Sequence, residues 1–223
     1  MSMPDFFGAF YFYTQEVLQT REGRAVPIEI AEAGALVLTS GRIVACDGLI
    51  PSDEPFTERV KPGSYPVVLC IAMFSEEWPV IACAMLRLKD EMPVVWKPAT
   101  VAGQSEVPER EDETVGYGVD CGVGCFADLD AMHALIASPD TYSRLQEQVH
   151  HAGMKIVDFQ PDTARPSNII IFSSGEGDGT YPSYFGYDDD GNILCLATDF
   201  GIIAPLPEKQ TEKPNKDQLR LDF

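Results

Sequence analysis

Basic side chains are scarce in this sequence. Its 223 residues include 16 Lys and Arg against 35 Asp and Glu, a formal charge of −19. Nucleic acids and anionic membranes are held by clustered Lys and Arg, so direct binding to either is not expected. Long apolar runs are also missing. The longest, Tyr65 to Phe74 and Val80 to Leu86, fall short of the roughly 20 residues of a membrane helix and suit buried strands. The amino terminus, Met-Ser-Met-Pro-Asp-Phe-Phe-Gly, has an acid where an export signal carries a base, and no long apolar stretch follows. The expected compartment is the cytoplasm. Cys121 and Cys125 form a Cys-x-x-x-Cys and not a redox Cys-x-x-Cys pair, and no second cysteine pair has zinc-ligand spacing. In a reducing compartment the six cysteines are expected to be free thiols. Cys46, Cys70, Cys83 and Cys195 lie within apolar runs and read as small core residues.

What is present is an ample core, since 45% of residues are apolar and 10% aromatic. The 18 glycines and 17 prolines are scattered between short apolar runs, the punctuation of a turn-rich β protein. Ala35 to Leu38 and Arg42 to Cys46 flank Thr39-Ser40-Gly41 as an expected hairpin. A second expected hairpin joins Pro66 to Phe74 with Val80 to Leu88 across Ser75-Glu76-Glu77, and Pro93 to Trp96 extends the sheet. A third joins Tyr181 to Tyr187 with Asn192 to Thr198 through Asp188-Asp189-Asp190-Gly191, where Asp-Gly signals a type I′ turn. The segment Val101 to Thr114 has no apolar period and reads as an exposed loop.

Helical spacing occurs at Leu129, Met132, His133 and Ile136, and again at Tyr142, Leu145 and Val149, where Ser138 is the expected N-cap and Pro139 fits the first turn. The fold class is therefore α+β, mainly antiparallel sheet with two helices inserted near residues 126–152. Residues 1–205 are expected to form one domain, and residues 206–223 a polar linker and tail.

Five aspartates, Asp47, Asp120, Asp128, Asp178 and Asp199, lie beside glycine or at the end of an apolar run. Such acids are suited to turns and caps. Were Asp120, Asp128 and Asp178 to converge, they would offer oxygen ligands to a divalent cation and a base for hydrolysis; no other cofactor is expected. Cys125 precedes the first helix, whose N-terminus would lower a thiol pKa, and His133 is its candidate base. Gly175-Glu176-Gly177-Asp178-Gly179 reads as a tight turn with Asp178 holding loop amides, because Glu176 and Asp178 would repel a phosphate. Asp188, Asp190, Asn192 and Asp199 match positions of a calcium loop, but Ile193 stands where that loop needs glycine.

Ser40 to Asp47, Pro62 to Val67, Val119 to Asp128, Ser174 to Tyr184 and Thr198-Asp199-Phe200 together resemble the bacterial domain-of-unknown-function family 4241. The likeness spans about Leu36 to Phe200. It implies that the glycine and aspartate motifs belong to one unit, and it brings no activity with it. The sequence departs from that pattern at Glu176, in place of an aromatic, and at Cys121, in place of a frequent alanine. Outside the likeness, the ending Gln218-Leu219-Arg220-Leu221-Asp222-Phe223 resembles the peptide by which bacterial proteins dock on the sliding clamp. There Leu221 and Phe223 would fill an apolar groove and Gln218 would bond its rim. The functional expectation is a noncatalytic, protein-binding module, immunity-like or adaptor, that meets a basic partner through its acidic surface. The alternatives are a divalent-metal hydrolase and a clamp-associated accessory protein.

Overall fold

A computed structural model describes residues 17–105 and 115–205. Thirteen strands and two α-helices are found there, and every strand pairing is antiparallel. The strands are β1 (Val17–Gln19), β2 (Ala25–Leu38), β3 (Ile43–Asp47), β4 (Gly63–Ser75), β5 (Trp78–Arg87), β6 (Val95–Pro98) and β7 (Tyr117–Val119), then β8 (Val123–Asp128), β9 (Val157–Phe159), β10 (Ile169–Ser173), β11 (Gly179–Tyr181), β12 (Ser183–Tyr187) and β13 (Ile193–Asp199). The helices are α1 (Leu129–Ile136) and α2 (Pro139–His151).

Seven strands form the large sheet in the order β1-β2-β4-β5-β13-β12-β6, and four form a second in the order β3-β8-β10-β9. Side chains alternate across a strand, and that alternation sorts the second sheet into two faces. Ile43, Ala45, Phe126, Ile170 and Phe172 pack into the core shared with the large sheet. Their neighbours Val44, Cys46, Cys125, Ala127, Ile169 and Ile171 pack with Leu129, Met132, Leu135, Leu145 and Val149 of the helices. The layers are therefore large sheet, small sheet and helices. This explains why β8 and β10 read as continuous apolar runs without alternation: both of their faces are covered.

The helices follow local chemistry. Asp128 caps α1 by accepting from Asp130 N at 3.0 Å, and Ser138 caps α2 by accepting from Thr141 N at 3.2 Å. The buried stripe of α1 is Leu129, Ala131, Met132 and Leu135, whereas His133 and Ile136 face outward. The expected stripe was thus rotated, because the cap at Asp128 fixes which side of the helix meets the sheet.

The β4–β5 hairpin forms with Ser75 opposite Trp78. The expected β2–β3 hairpin does not. β2 pairs with β4 and β3 with β8, so Thr39-Ser40-Gly41 is a crossing between sheets. At that crossing Gly41 has φ +68°, and an added Cβ would stand 2.3 Å from the Val60 carbonyl oxygen. The β12–β13 hairpin forms, but its turn is not type I′. Gly191 alone in that turn has positive φ, while Asp188 Oδ1 accepts from Asp190 N and Asn192 N. Type I′ needs positive φ at both central residues.

Candidate functional site

The small strands β7 and β11 pair, with Val119 opposite Gly179, and so set two turns side by side. One turn is Asp120-Cys121-Gly122, and the other is the loop Ser174 to Asp178. Ser174 N donates to the Gly122 carbonyl at 3.1 Å, and Gly122 is close enough that an added Cβ would touch Gly177 Cα at 3.8 Å. Gly175 (φ +52°) and Gly177 (φ +124°) shape the second turn, as the glycine spacing predicts. It is closed by Ser174 Oγ and Tyr181 OH, which both donate to the Gly177 carbonyl at 2.8 Å. The amide of Gly177, expected to be held by Asp178, donates instead to the Ser174 carbonyl at 2.8 Å, and Asp178 is exposed.

Asp47 anchors this face from below. It is 2% exposed and its Oδ2 accepts from Asp120 N and Cys121 N, each at 2.8 Å, while Oδ1 accepts from Leu49 N at 2.7 Å. Three donors satisfy the buried carboxylate and lock the turn between β7 and β8. Asp120 and Cys121 are left exposed on that turn. The Cys121 thiol pKa is raised, by desolvation first and then by the carboxylates of Asp47, Asp120 and Asp178. A thiol so surrounded stays protonated and is a weak nucleophile. A cleft of about 360 Å³ opens beside Asp120, lined also by Cys46, Ile50, Glu54 and Tyr117. The Tyr117 hydroxyl is buried against Gly124 and makes no hydrogen bond among the described residues. Burial drives the Tyr117 pKa well upward, so this phenol stays neutral.

The other candidates lie elsewhere. Asp128 is fully buried at the far end of β8, about 3.3 Å per residue away along an extended strand. Its Oδ1 accepts from Thr39 Oγ1 (2.9 Å) and Asp130 N, and its Oδ2 from Ser40 N (3.0 Å) and Ser40 Oγ (2.7 Å). It does not join Asp120 and Asp178, because β8 separates them. Among the described residues no group of three His, Cys, Asp or Glu side chains is placed to hold a metal ion.

Cys125 faces the helix layer, directly opposite Cys46 in the β3–β8 register, with the sulfurs 3.6 Å apart. The thiol contact with Cys46 and burial push its pKa well up, the reverse of the activation expected from α1. His133 is on the outer side of α1, away from this buried pair. Asp199 is also buried, accepting from Gly201 N at 2.8 Å and from Arg21 Nη2 at 3.0 Å. Gln218, Leu221 and Phe223 lie outside the described residues.

Asp47 was among the aspartates suited to turns and caps, but which turn it holds was not legible in the sequence, and Trp78 was not singled out. The role of Asp47 as turn anchor needs the β3–β7 juxtaposition, which nothing local encodes. Trp78 is 55% exposed and lines a second cleft of about 310 Å³ together with Gly175 and Glu176. Its signal was a tryptophan immediately after a Glu-Glu turn, where a strand begins outside the core.

These features define a layered α+β protein with a glycine-rich, carboxylate-bearing face. A family model described as protein of unknown function (DUF4241) matches residues 36–198, and the chain belongs to that family. No curated protein and no solved structure matches the chain. No helix among the described residues is long and apolar enough to cross a membrane.

Proposed function

We propose that this protein is a noncatalytic binding module whose acidic face engages a basic protein. The observation that carries this reading is the division among the carboxylates. Asp47, Asp128 and Asp199 are buried and occupied by the chain's own donors, whereas Asp120, Glu176 and Asp178 stand exposed on adjoining turns. Exposed carboxylates on turns fixed from beneath present charge at little entropic cost, which favours steering of a cationic partner. The protonated thiols and the outward His133 offer no activated nucleophile to compete with this reading.

The test is capture from an extract of the protein's own cells, with wild type beside the variant Asp120→Asn, Glu176→Gln, Asp178→Asn. The expected result is a basic protein retained by wild type and lost by the variant, with affinity that falls as salt rises. Equal retention by both would overturn it, as would a Mg²⁺-dependent hydrolysis abolished by Asp120→Asn alone. For the tail, the spacing of Gln218, Leu221 and Phe223 supports a separate docking peptide. Binding to purified sliding clamp should be lost in Phe223→Ala, and unchanged affinity would dismiss it.

A further inference from the structure

At the tip of the β4–β5 hairpin, Phe74 and Trp78 stack with ring centroids 5.1 Å apart and planes tilted by 32°. The Arg24 guanidinium lies over the Phe74 ring at 5.0 Å and its Nη2 donates to the Phe74 carbonyl at 2.9 Å. This aromatic tip therefore already accepts a guanidinium from its own chain, the geometry of a cation–π contact. Trp78 still has 55% of its surface exposed. It forms, with Pro79, Val80 and Ile81, one wall of the 310 Å³ cleft, and Glu176 stands on the other beside Gly175. Gly175 (φ +52°) seats this loop on Phe200, where an added Cβ would be 2.9 Å from Phe200 Cβ. Glu76 and Glu77, which immediately precede Trp78 in the hairpin turn, and Asp178, two residues after Glu176, are exposed.

We infer that this cleft takes one arginine side chain of a basic protein partner, its guanidinium lying against Trp78 and donating to the Glu176 carboxylate. Arginine fits because its planar cation stacks on aromatic faces, donates to carboxylates as a fork and is weakly hydrated. A neutral apolar side chain would desolvate Glu176 without replacing its hydrogen bonds. An acidic one would be repelled by the Glu176 carboxylate. A volume near 310 Å³ is at the small end of ligand sites and suits one long side chain. The inference rests on the acidic-face reading for the existence of a partner, and names its anchor.

The probe is N-acetyl-arginine methylamide, titrated into the ¹⁵N-labelled full chain. The two tryptophans give two indole signals, assigned with Trp78→Phe. The Trp78 signal should move saturably and the Trp96 signal should not. The citrulline analogue, which has the same shape without the charge, should move neither. Glu176→Gln should weaken the arginine probe about tenfold, the equivalent of one charge-assisted hydrogen bond. Equal response to citrulline, unchanged affinity in Glu176→Gln, or a still Trp78 signal at tens of millimolar probe would overturn the inference. The two readings fail separately. If Asp120→Lys with Asp178→Lys leaves the partner bound while the probe still finds Trp78, the acidic-face reading falls and the arginine cleft stands. If those charges prove essential while Trp78 ignores the probe, the cleft falls.

Discussion

Replacing Asp128 tests whether this carboxylate is a structural acceptor. It caps α1 through Asp130 N and ties the Thr39-Ser40 crossing to the start of that helix with three further hydrogen bonds. Loss of an N-cap costs about 1 kcal/mol. Hydrogen bonds to a charged group contribute about 1.5–3 kcal/mol each, but Thr39 is exposed and its hydroxyl also donates to Asp130, so water and that neighbour compensate part of the loss. With the Thr39 bond discounted and the two Ser40 bonds at the low end of that range, Asp128→Ala should cost about 4 kcal/mol, a large share of the 5–15 kcal/mol typical of a domain.

Asp128→Asn keeps one acceptor oxygen and should cost about half as much. Asp128→Ser restores the cap but not the clamp on Ser40 and should fall between Asn and Ala. Urea unfolding followed by circular dichroism reads the series, with a midpoint shift of about 2 M for Ala at a slope near 2 kcal/mol/M. A loss below about 1 kcal/mol for Ala, or a Ser variant as stable as wild type, would refute the hydrogen-bond account. A ligand role would show differently: Mg²⁺ would raise the wild-type midpoint and leave that of Asp128→Asn unmoved.

Three further outcomes are expected. Cys121 is the one exposed thiol, and burial holds Cys70 and Cys195 up to about 12, so iodoacetamide should add one group slowly to the native protein and six after denaturation; native mass spectra with more than one adduct would contradict this. Gly41→Ala places a Cβ against the Val60 carbonyl at positive φ and should cost at least about 1–3 kcal/mol in thermal or urea unfolding. Burial raises the Asp199 pKa above 3.8, against the opposing pull of Gly201 and Arg21. The folded carboxyl thus holds its proton more tightly than the unfolded one, and its contribution to stability declines as pH rises from 3.8 through the raised value. Unfolding across that range should show a decline in wild type relative to Asp199→Asn; a rise would reverse the assignment.

Much of this architecture was legible locally. The cap at Ser138, the β4–β5 hairpin and the turn glycines at 175 and 177 follow from propensities that act within a few residues. The antiparallel α+β class followed from the order of those elements. The turn type at Asp188 to Gly191 did not, because Asp188 draws Asp190 and Asn192 onto its own carboxylate and fixes a different backbone path. The Thr39-Ser40-Gly41 crossing misled for a related reason. Its flanking strands look like a hairpin in sequence, but β3 pairs with the buried β8, whose backbone groups need a strand on each edge, β3 on one and β10 on the other.

By itself the sequence determined the charge, the β4–β5 and β12–β13 hairpins and the two helices, since each depends on residue type and spacing over a few residues, whereas β7, β8, β9 and most of β2 depend on distant partners. Tertiary structure decided which turns meet. Pairing of β7 with β11 brings Asp120 to Asp178 across nearly 60 residues, while extended β8 carries Asp128 away from that face and turns Cys125 toward the helices. Whether a carboxylate is an internal acceptor or an exposed charge is set by where donors from distant strands arrive, and no local pattern records that.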